Sequence, residues 1–333
     1  MLWRRIRAMG TTFLIVIVTT EPHKYTHAAL AGWCSPSIIQ RFSYWKLFRK
    51  RLLPHATYIF TDFDRLSPWE LELAAKAFRA LEGAGCRLLN DPGRFRRRHA
   101  FLQLMHRRKI NNFSSWSPDL DETPDRFPVF LRTQAAHRGV LAGLLHTPEE
   151  ARLALEEALA AGHPLSDLHF VEYAAEPTST GIFRKLAAYR VGDAIVPALS
   201  VHSLDWIAKY GAPVAEAQQY DEESELLRNN PHERHLMSAF EAAGIDYGRA
   251  DFGILGGRPQ IYEINTNPMI GDLTEHWSAQ RLANSRHARE AIAAAVKTLD
   301  STGGKPAVRL DGEPFATQFR RDRRRFFMSH WMP

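Results

Sequence analysis

The sequence has 333 residues, of which 45% are hydrophobic and 24% charged, and these are ordinary values for a globular protein. This length favours two or three packed lobes over one simple core. The two cysteines, Cys34 and Cys86, lie far apart and form no paired metal-binding motif, which argues against a structural zinc site or a disulfide framework and predicts a reducing, cytoplasmic location.

The net charge is +6 and the pI is near 9.4, with basic clusters at 49–51, 94–98 and 320–325. Such clusters can bind nucleic acid or an acidic ligand, or they can form a solvated face. No zinc-finger or RNA-binding aromatic motif accompanies them, so we expect no nucleic-acid partner. The longest early apolar run, "FLIVIV" at 13–18, is too short to span a bilayer, so we expect no membrane partner either.

The first 92 residues are typical of an α/β unit. "FLIVIV" and "ATYIFTDF" predict strands, and "CRLLND" predicts another. "SPWELELAAKAFRALEGAG" predicts a helix that Ser67 caps, with Pro68 in its first turn and Glu70 three residues after the cap. A strand, helix and strand at this spacing predict a parallel βαβ unit.

The middle of the chain alternates helices and strands. We predict a basic helix over 94–109, a strand over 127–132, a helix over 147–162, and three strands within 168–174 and 181–199. Further helices are predicted on both sides of Pro231 within 221–244, and a long helix is predicted after Met269. The last thirty or so residues give no clear prediction.

Two alternating runs, "RADFGIL" and "QIYEIN", flank "GGRP" and predict a β-hairpin. A three-residue loop at Gly256–Arg258 would place Asp251 opposite Glu263 and Arg249 opposite Asn265. Odd-numbered positions, Ile261 included, would then share a polar face. Even-numbered positions, Phe252, Ile254, Tyr262 and Ile264, would share a core face.

Two carboxylates directly opposite each other on a sheet repel. A divalent cation would remove this repulsion, and Asp251, Glu263 and the amide oxygen of Asn265 form an oxygen set suited to Mg²⁺, or to Mn²⁺. Phosphate oxygens of a substrate would complete the coordination shell. The alternative is a solvent-exposed polar face with a loose register.

The segment "GRADFGILGGRPQIYEINTNP" closely resembles the metal-binding hairpin of ATP-grasp enzymes such as D-alanine–D-alanine ligases and ribosomal-protein glutamate ligases. The resemblance implies that Asp251, Glu263 and Asn265 hold Mg²⁺ ions that bridge the phosphates of ATP, with Asn267 as a weaker candidate. It also implies that Arg249 is catalytic, because it would stabilise charge at the transferred phosphoryl group.

The resemblance further implies an α/β fold with a Rossmann-like N-terminal domain and two α+β subdomains that clasp the nucleotide. We expect an N-terminal domain over 1–92, a small subdomain over 93–170, a large subdomain over 171–298 and a basic tail over 299–333.

Other segments resemble parts of the same family's nucleotide site. "FPVFLR" resembles a strand that usually ends in a phosphate-binding lysine, a position that Arg132 occupies here. The following loop, "TQAAHRG", is poor in glycine where the family's loop is rich in it. This departure puts the usual loop mechanism in doubt, and His137 and Arg138 are either substitutes for it or exposed loop residues.

"FVEYAAE" resembles the hinge strand that binds adenine, with Glu172 and Tyr173 at the corresponding positions and Glu176 within reach of the ribose. An ordinary edge strand is the alternative. "GIFRKLAAYRVGD" resembles a strand pair with a basic phosphate ligand. Lys185 is the first candidate and Arg184 the alternative, since neighbouring side chains on a strand point to opposite faces. No single residue of the basic helix 94–109 can be selected.

The function implied by the resemblance is an ATP- and Mg²⁺-dependent ligase that forms C–N bonds. It would activate a carboxylate as an acyl phosphate for attack by an amine or a thiol, with release of ADP and phosphate. The expected partners are a small-molecule or peptide carboxylate and an amine, and a homodimer is compatible with the family. A kinase that phosphorylates a hydroxyl, and a non-catalytic ATP-binding or regulatory protein, remain alternatives.

Overall fold

The N-terminal part of the chain forms a four-stranded parallel sheet in the order β2-β1-β4-β5. The computed structural model describes residues 15–34, 38–134, 139–208, 214–271, 275–299 and 306–310, together with Arg321 and Arg324. The elements up to residue 89 are β1 (Ile15–Thr19), α1 (Ala28–Trp33), β2 (Ile39–Ser43), α2 (Tyr44–Arg49), β3 (Leu52–Leu53), β4 (Thr57–Phe60), α3 (Pro68–Gly83) and β5 (Leu88–Leu89).

The predicted βαβ unit is confirmed, because α3 connects the parallel strands β4 and β5. The predicted capping box is also present: the Ser67 hydroxyl accepts from the Glu70 amide at 3.2 Å, and Glu70 accepts from the Ser67 amide at 2.9 Å. Alternate residues of β1 are buried on opposite faces of the sheet, with Ile17 in one core and Val18 in the other. Burial on both faces explains why the first four residues of this strand are all apolar.

A small antiparallel sheet follows, in the order β6-β8-β7. Its elements are α4 (Arg98–Arg107), β6 (Ser115–Trp116), β7 (Val129–Thr133), α5 (Pro148–Ala160) and β8 (Leu168–Glu172). One face of the sheet buries Leu131 and Phe170 against Ala154 of α5. Arg132 and His169 lie opposite each other in the register, at positions that alternate with these apolar residues.

A larger antiparallel sheet has the order β10-β9-β12-β13, with β11 paired to β9. Its elements are β9 (Phe183–Val191), β10 (Ala194–Pro197), β11 (Val201–Ser203), α6 (Ala217–Asn229), α7 (Glu233–Ala243), β12 (Tyr247–Leu255), β13 (Arg258–Asn265) and α8 (Ala279–Lys297). On one face, Leu186 and Phe252 pack with Phe240 of α7. On the other face, Tyr189 packs with Ile292 of α8 and with Ile17 of β1, so this sheet and the N-terminal sheet share a core.

Asn90 joins the N-terminal sheet to the large sheet. Its side-chain amide donates to the carbonyls of Phe60 at 3.0 Å and Tyr247 at 2.7 Å. Its oxygen accepts from the amides of Asp246 at 2.8 Å and Tyr247 at 2.9 Å. One buried side chain therefore satisfies four backbone groups.

The β12–β13 hairpin differs from the prediction at its turn. Leu255 pairs with Arg258, so the loop has two residues, Gly256 and Gly257, with φ of 56° and 76°. Positive φ at both positions is the geometry that matches the strand twist in a two-residue hairpin. The predicted three-residue loop is therefore wrong.

A β-bulge restores the predicted register further along the hairpin. Phe252 pairs with Ile261 and Asp251 with Glu263, so Tyr262 is the extra residue. Ile261 is consequently buried in the core beside Phe252, and its predicted place on the polar face is wrong. Tyr262 packs against the same core as Phe252, as predicted, and it also lies over Gly253, where an added Cβ would be 2.1 Å from its hydroxyl oxygen.

Residues 306–310 lie against the N-terminal domain, where β14 (Val308–Arg309) pairs antiparallel with β3. Arg321 and Arg324 are exposed. Within the described ranges, none of the helices combines the length and apolar character that a membrane span requires.

Candidate active site

Asp251 and Glu263 lie directly opposite each other across the hairpin, and Arg249 lies opposite Asn265. The predicted register at these four positions is confirmed. The bulge matters here, because the two-residue turn alone would have shifted the pairing by one residue. The roles of these side chains in metal binding and catalysis stay predictions.

Two cationic side chains surround the Asp251 carboxylate, which is only 3% exposed. Arg249 donates from Nε to Oδ1 at 2.7 Å and from Nη2 to Oδ2 at 3.2 Å, a two-pronged pairing. Lys185 Nζ lies 3.3 Å from Oδ2. Burial acts to lower the pKa of the Arg249 guanidinium, but the attraction of Asp251, aided by Tyr189 and Glu263, outweighs it and leaves that pKa raised. Arg249 is therefore charged.

The structure separates the two candidates on β9. Lys185 points towards Asp251, whereas Arg184 pairs with Glu222 of α6 at 2.9 Å. Successive side chains of a strand point to opposite faces, so only Lys185 shares the polar face of the hairpin. The preferred sequence candidate therefore lies beside the carboxylate pair, and its role as a phosphate ligand stays a prediction.

Arg98 of the basic helix contacts the carboxylate pair on the hairpin. Its Nη2 contacts Oε2 of Glu263, and its side chain is 8% exposed. It is the first residue of α4, a position that no sequence signal distinguished from its arginine neighbours. Sequence reasoning missed this residue because the contact joins segments 165 positions apart.

The end of β13 is tied to the N-terminal domain. Asn265 Oδ1 accepts from the Asn267 amide at 2.8 Å, and Asn267 Oδ1 accepts from the Thr26 hydroxyl at 2.8 Å. These bonds fix the backbone that follows Glu263 and orient the Asn265 side chain. Asn267 therefore connects the predicted metal ligand Asn265 to the N-terminal domain.

The small sheet and α4 contribute buried polar atoms with no hydrogen-bond partner among the described residues. They are Nη1 of Arg98, Nε of Arg132 and both ring nitrogens of His169. Burial, with smaller effects of Arg98 and His99, holds the pKa of His169 well below its ordinary value, so its ring is neutral and offers one N–H. Unsatisfied donors on two arginines suit an anion such as a phosphate group.

The predicted adenine-binding residues already have partners. Glu172 Oε2 accepts from the Ser114 amide and from Arg126 Nη2, both at 2.9 Å. Burial raises the pKa of Glu172, while these two partners act to lower it.

The Tyr173 amide donates to the Pro128 carbonyl at 2.9 Å, and the Tyr173 ring meets Trp206 edge-on at 5.6 Å. Glu176 accepts from the Gly256 amide at 3.0 Å, at the tip of the hairpin. Their nucleotide-binding roles stay predictions. His137 and Arg138 lie outside the described residues.

The candidate metal ligands fit a cation that arrives with phosphates. Across the described ranges, no three His, Cys, Asp or Glu side chains are grouped so as to hold a metal ion by themselves. Asp251, Glu263 and Asn265 offer two carboxylates and one amide oxygen. Mg²⁺ commonly binds through one or two carboxylates and completes its shell with substrate phosphates and water.

No protein-family model matches the chain. No curated protein matches it significantly. Among solved structures, a D-alanine–D-alanine ligase from Bacillus anthracis in complex with ATP is 12% identical, with a TM-score of 0.50 over 94% of this chain and 99% of that one.

Two further structures match at lower TM-scores. An L-amino acid ligase from Bacillus licheniformis is 10% identical over 90% of this chain and 79% of that one, with a TM-score of 0.47. The ATP-grasp ligase PsnB with its minimal precursor is 12% identical over 86% of this chain and 100% of that one, with a TM-score of 0.48. Identities this low bear on the fold alone. The parallel sheet, the two antiparallel sheets and the hairpin together give this chain the ATP-grasp fold.

Proposed function

We propose that the protein is an ATP- and Mg²⁺-dependent ligase that joins a carboxylate to an amine, or to a thiol. The observation that carries the proposal is the pairing of Asp251 with Glu263 on a face that also presents Arg249 and Lys185. In the ATP-grasp fold, this combination suits a triphosphate with its metal ions.

The proposed reaction has two steps. A carboxylate oxygen attacks the γ-phosphorus of ATP, the bond between the β,γ-bridging oxygen and that phosphorus breaks, and ADP leaves. The amine nitrogen then attacks the acyl carbon, the bond from that carbon to the phosphate oxygen breaks, and phosphate leaves as the amine loses a proton. Each step moves negative charge, so positioning and charge neutralisation are the main demands on the protein.

The side chains of this chain would meet those demands from two directions. Lys185 and Arg249 would act from the large sheet, Arg98 from α4 and Arg132 from the small sheet. Asp251, Glu263 and Asn265 would hold Mg²⁺, which screens the charge of the transferred group. Arg98, Lys185 and Arg249, which pair with these carboxylates, would then be available to the phosphates.

ADP release tests the proposal. The full chain is incubated with Mg²⁺-ATP and with carboxylates and amines, supplied separately and together. Release that requires both classes of substrate supports ligation. Release with a hydroxyl compound as the only acceptor supports a kinase instead. Tight ATP binding without turnover under all combinations supports a non-catalytic nucleotide-binding protein.

A further inference from the structure

Asp64 lies where the N-terminal sheet meets the hairpin, in a short helical turn that follows β4. The Asp62 amide donates to the Thr266 hydroxyl at 3.2 Å. The rings of Phe63 and Phe95 are in contact, with their centroids 5.5 Å apart. The turn is therefore held between the residues that follow β13 and the segment that leads into α4.

Asp62 fixes the backbone of this turn. Its φ of 64° lies in the left-handed region, which a residue other than glycine keeps only where its surroundings hold it. Its buried carboxylate accepts from the Thr20 amide at 3.3 Å, and Arg65 contacts the other carboxylate oxygen. The backbone that carries Asp64 is thus set by buried contacts.

The Asp64 side chain is reached by solvent, but it lies in a cleft rather than on an outer surface. The protein around it displaces water that would stabilise the charge, and this burial raises the pKa of Asp64 from 3.8 to about 6. The charge of Arg98 acts to lower that pKa, and the charge of Glu263 acts to raise it. Asp64 therefore borders the candidate active site and is open to a ligand.

The carboxylate of Asp64 has no hydrogen bond or ion pair with any residue that the structure describes. The acidic side chains on either side of it differ in this respect, because Asp62 is in contact with Arg65, and Glu263 with Arg98. An unpaired carboxylate in a partly enclosed site favours a positively charged ligand, whose hydrogen bonds to it are stronger than those of a neutral group.

We propose that Asp64 binds the amine substrate as an ammonium ion, and that the protein uses amines in preference to thiols or alcohols. A thiol or an alcohol has no positive charge, so it gains less from this carboxylate. The identification of this amine as the attacking group rests on the proposed ligase function. Binding of an ammonium ion by Asp64 does not depend on that function.

The test is a ligand-observed NMR titration of the full chain at neutral pH without ATP. The probe is n-butylamine, and 1-butanol is its uncharged match. We expect the amine to bind at least about tenfold more tightly than the alcohol, since the hydrogen bond to a charged group is weaker for the alcohol. Equal binding of the two, or no detectable binding of the amine, would overturn the proposal.

Three variants locate the binding. Asp64→Asn removes the charge with little change of shape, and Asp64→Glu keeps the charge. Asp193→Asn removes an exposed carboxylate beyond the end of β9 that lies away from Lys185. Asp64→Asn should weaken binding of the amine about tenfold or more, whereas Asp193→Asn should not, and Asp64→Glu should still prefer the amine to the alcohol. Wild-type affinity for the amine in Asp64→Asn, with an unchanged melting temperature, would show that the amine binds elsewhere.

The ADP-release assay separates this proposal from the ligase function. Asp64→Asn should raise the KM for the amine about tenfold and leave the KM for the carboxylate unchanged. If the amine binds with dependence on Asp64 but no combination of substrates stimulates ADP release, the amine site stands and the ligase function is wrong.

Two other outcomes would overturn the role of Asp64. Carboxylates and amines together could stimulate ADP release while Asp64→Asn leaves both amine binding and the KM for the amine unchanged, in which case only the ligase function stands. A weaker response to Mg²⁺ in Asp64→Asn, with an unchanged KM for the amine, would place Asp64 among the metal ligands instead.

Discussion

The guanidinium of Arg98 is in direct contact with the carboxylate of Glu263, which links the start of α4 to the hairpin. Asp251, opposite Glu263, is paired with Arg249 and Lys185. The two facing carboxylates are therefore neutralised by side chains of the protein. These cations come partly from outside the hairpin, so the repulsion expected from the hairpin alone is offset by residues that the local pattern did not identify. Metal binding at this pair stays a prediction. It is supported by the set of oxygen donors and by the fold.

Glu263→Gln tests the metal prediction with little change of shape. The amide can still accept from Arg98 but has lost the charge that attracts Mg²⁺. We expect Mg²⁺-dependent ADP release to fall roughly 100-fold or more, since a metal contributes several kcal/mol to charge stabilisation. Circular dichroism should show an intact fold, and Glu241→Gln on the exposed face of α7 serves as the control. Full activity of Glu263→Gln would remove this residue from the site.

Arg98→Ala tests whether this arginine binds the nucleotide. Loss of a charged hydrogen bond to a phosphate should weaken ATP binding about tenfold to 100-fold, as measured by calorimetry. Arg97→Ala, at an exposed neighbouring position, should bind ATP as the wild type does. Equal effects of the two substitutions would indicate a general loss of positive charge rather than a specific contact.

Asn90→Ala should destabilise the junction between the N-terminal sheet and the large sheet. The substitution leaves buried backbone groups of Phe60, Asp246 and Tyr247 without their partner, and alanine tolerates the φ of 61° less well than asparagine does. We expect a loss of about 2–4 kcal/mol in the free energy of unfolding, measured with urea. Asn229→Ala, at an exposed position, should change it little, and an equal loss in both variants would refute the role of Asn90.

Gly253→Ala tests the bulge. The new methyl group would stand 2.1 Å from the Tyr262 hydroxyl oxygen and 2.9 Å from the ring carbon that bears it. We expect destabilisation of about 1–3 kcal/mol through overpacking. In the Tyr262→Ala background the same substitution should cost much less, since the clash is gone. A double-mutant cycle of thermal unfolding measures this coupling, and strictly additive effects would contradict the described packing.

His27 should make the protein less stable in mild acid. Burial, with a smaller effect of Arg41, lowers the pKa of His27 from 6.5 to about 3. Between these values the unfolded chain binds a proton that the native chain does not. The contribution of neutral His27 to the free energy of unfolding is therefore fully present above pH 6.5. It is lost as the pH decreases towards 3, by up to about 1.4 kcal/mol per pH unit.

Urea unfolding of the wild type and of His27→Gln at several pH values measures the contribution of His27 to the pH dependence of the free energy of unfolding. Between about pH 7.5 and pH 5, the wild type should lose about 2 kcal/mol more than the variant, because glutamine does not titrate in this range. Parallel losses in the two proteins would show that His27 is not the group responsible.

Several features could be predicted from the sequence because their causes are local. The cap of α3 depends on Ser67, Pro68 and Glu70, which lie within one turn of each other. The pairing of Asp251 with Glu263 follows from the strand alternation and the glycine turn. Even so, two errors cancelled there, since the turn is one residue shorter than predicted and the bulge adds one residue back.

The sequence by itself determined α3, the β12–β13 hairpin and the identity of the paired carboxylates, because these depend on residues close together in the chain. Only the tertiary structure decided which cation meets which carboxylate. Lys185 rather than Arg184 faces Asp251 because of the side on which β9 presents it, and Arg98 reaches Glu263 because α4 starts beside the hairpin. Such contacts join residues far apart in sequence, so no local pattern records them.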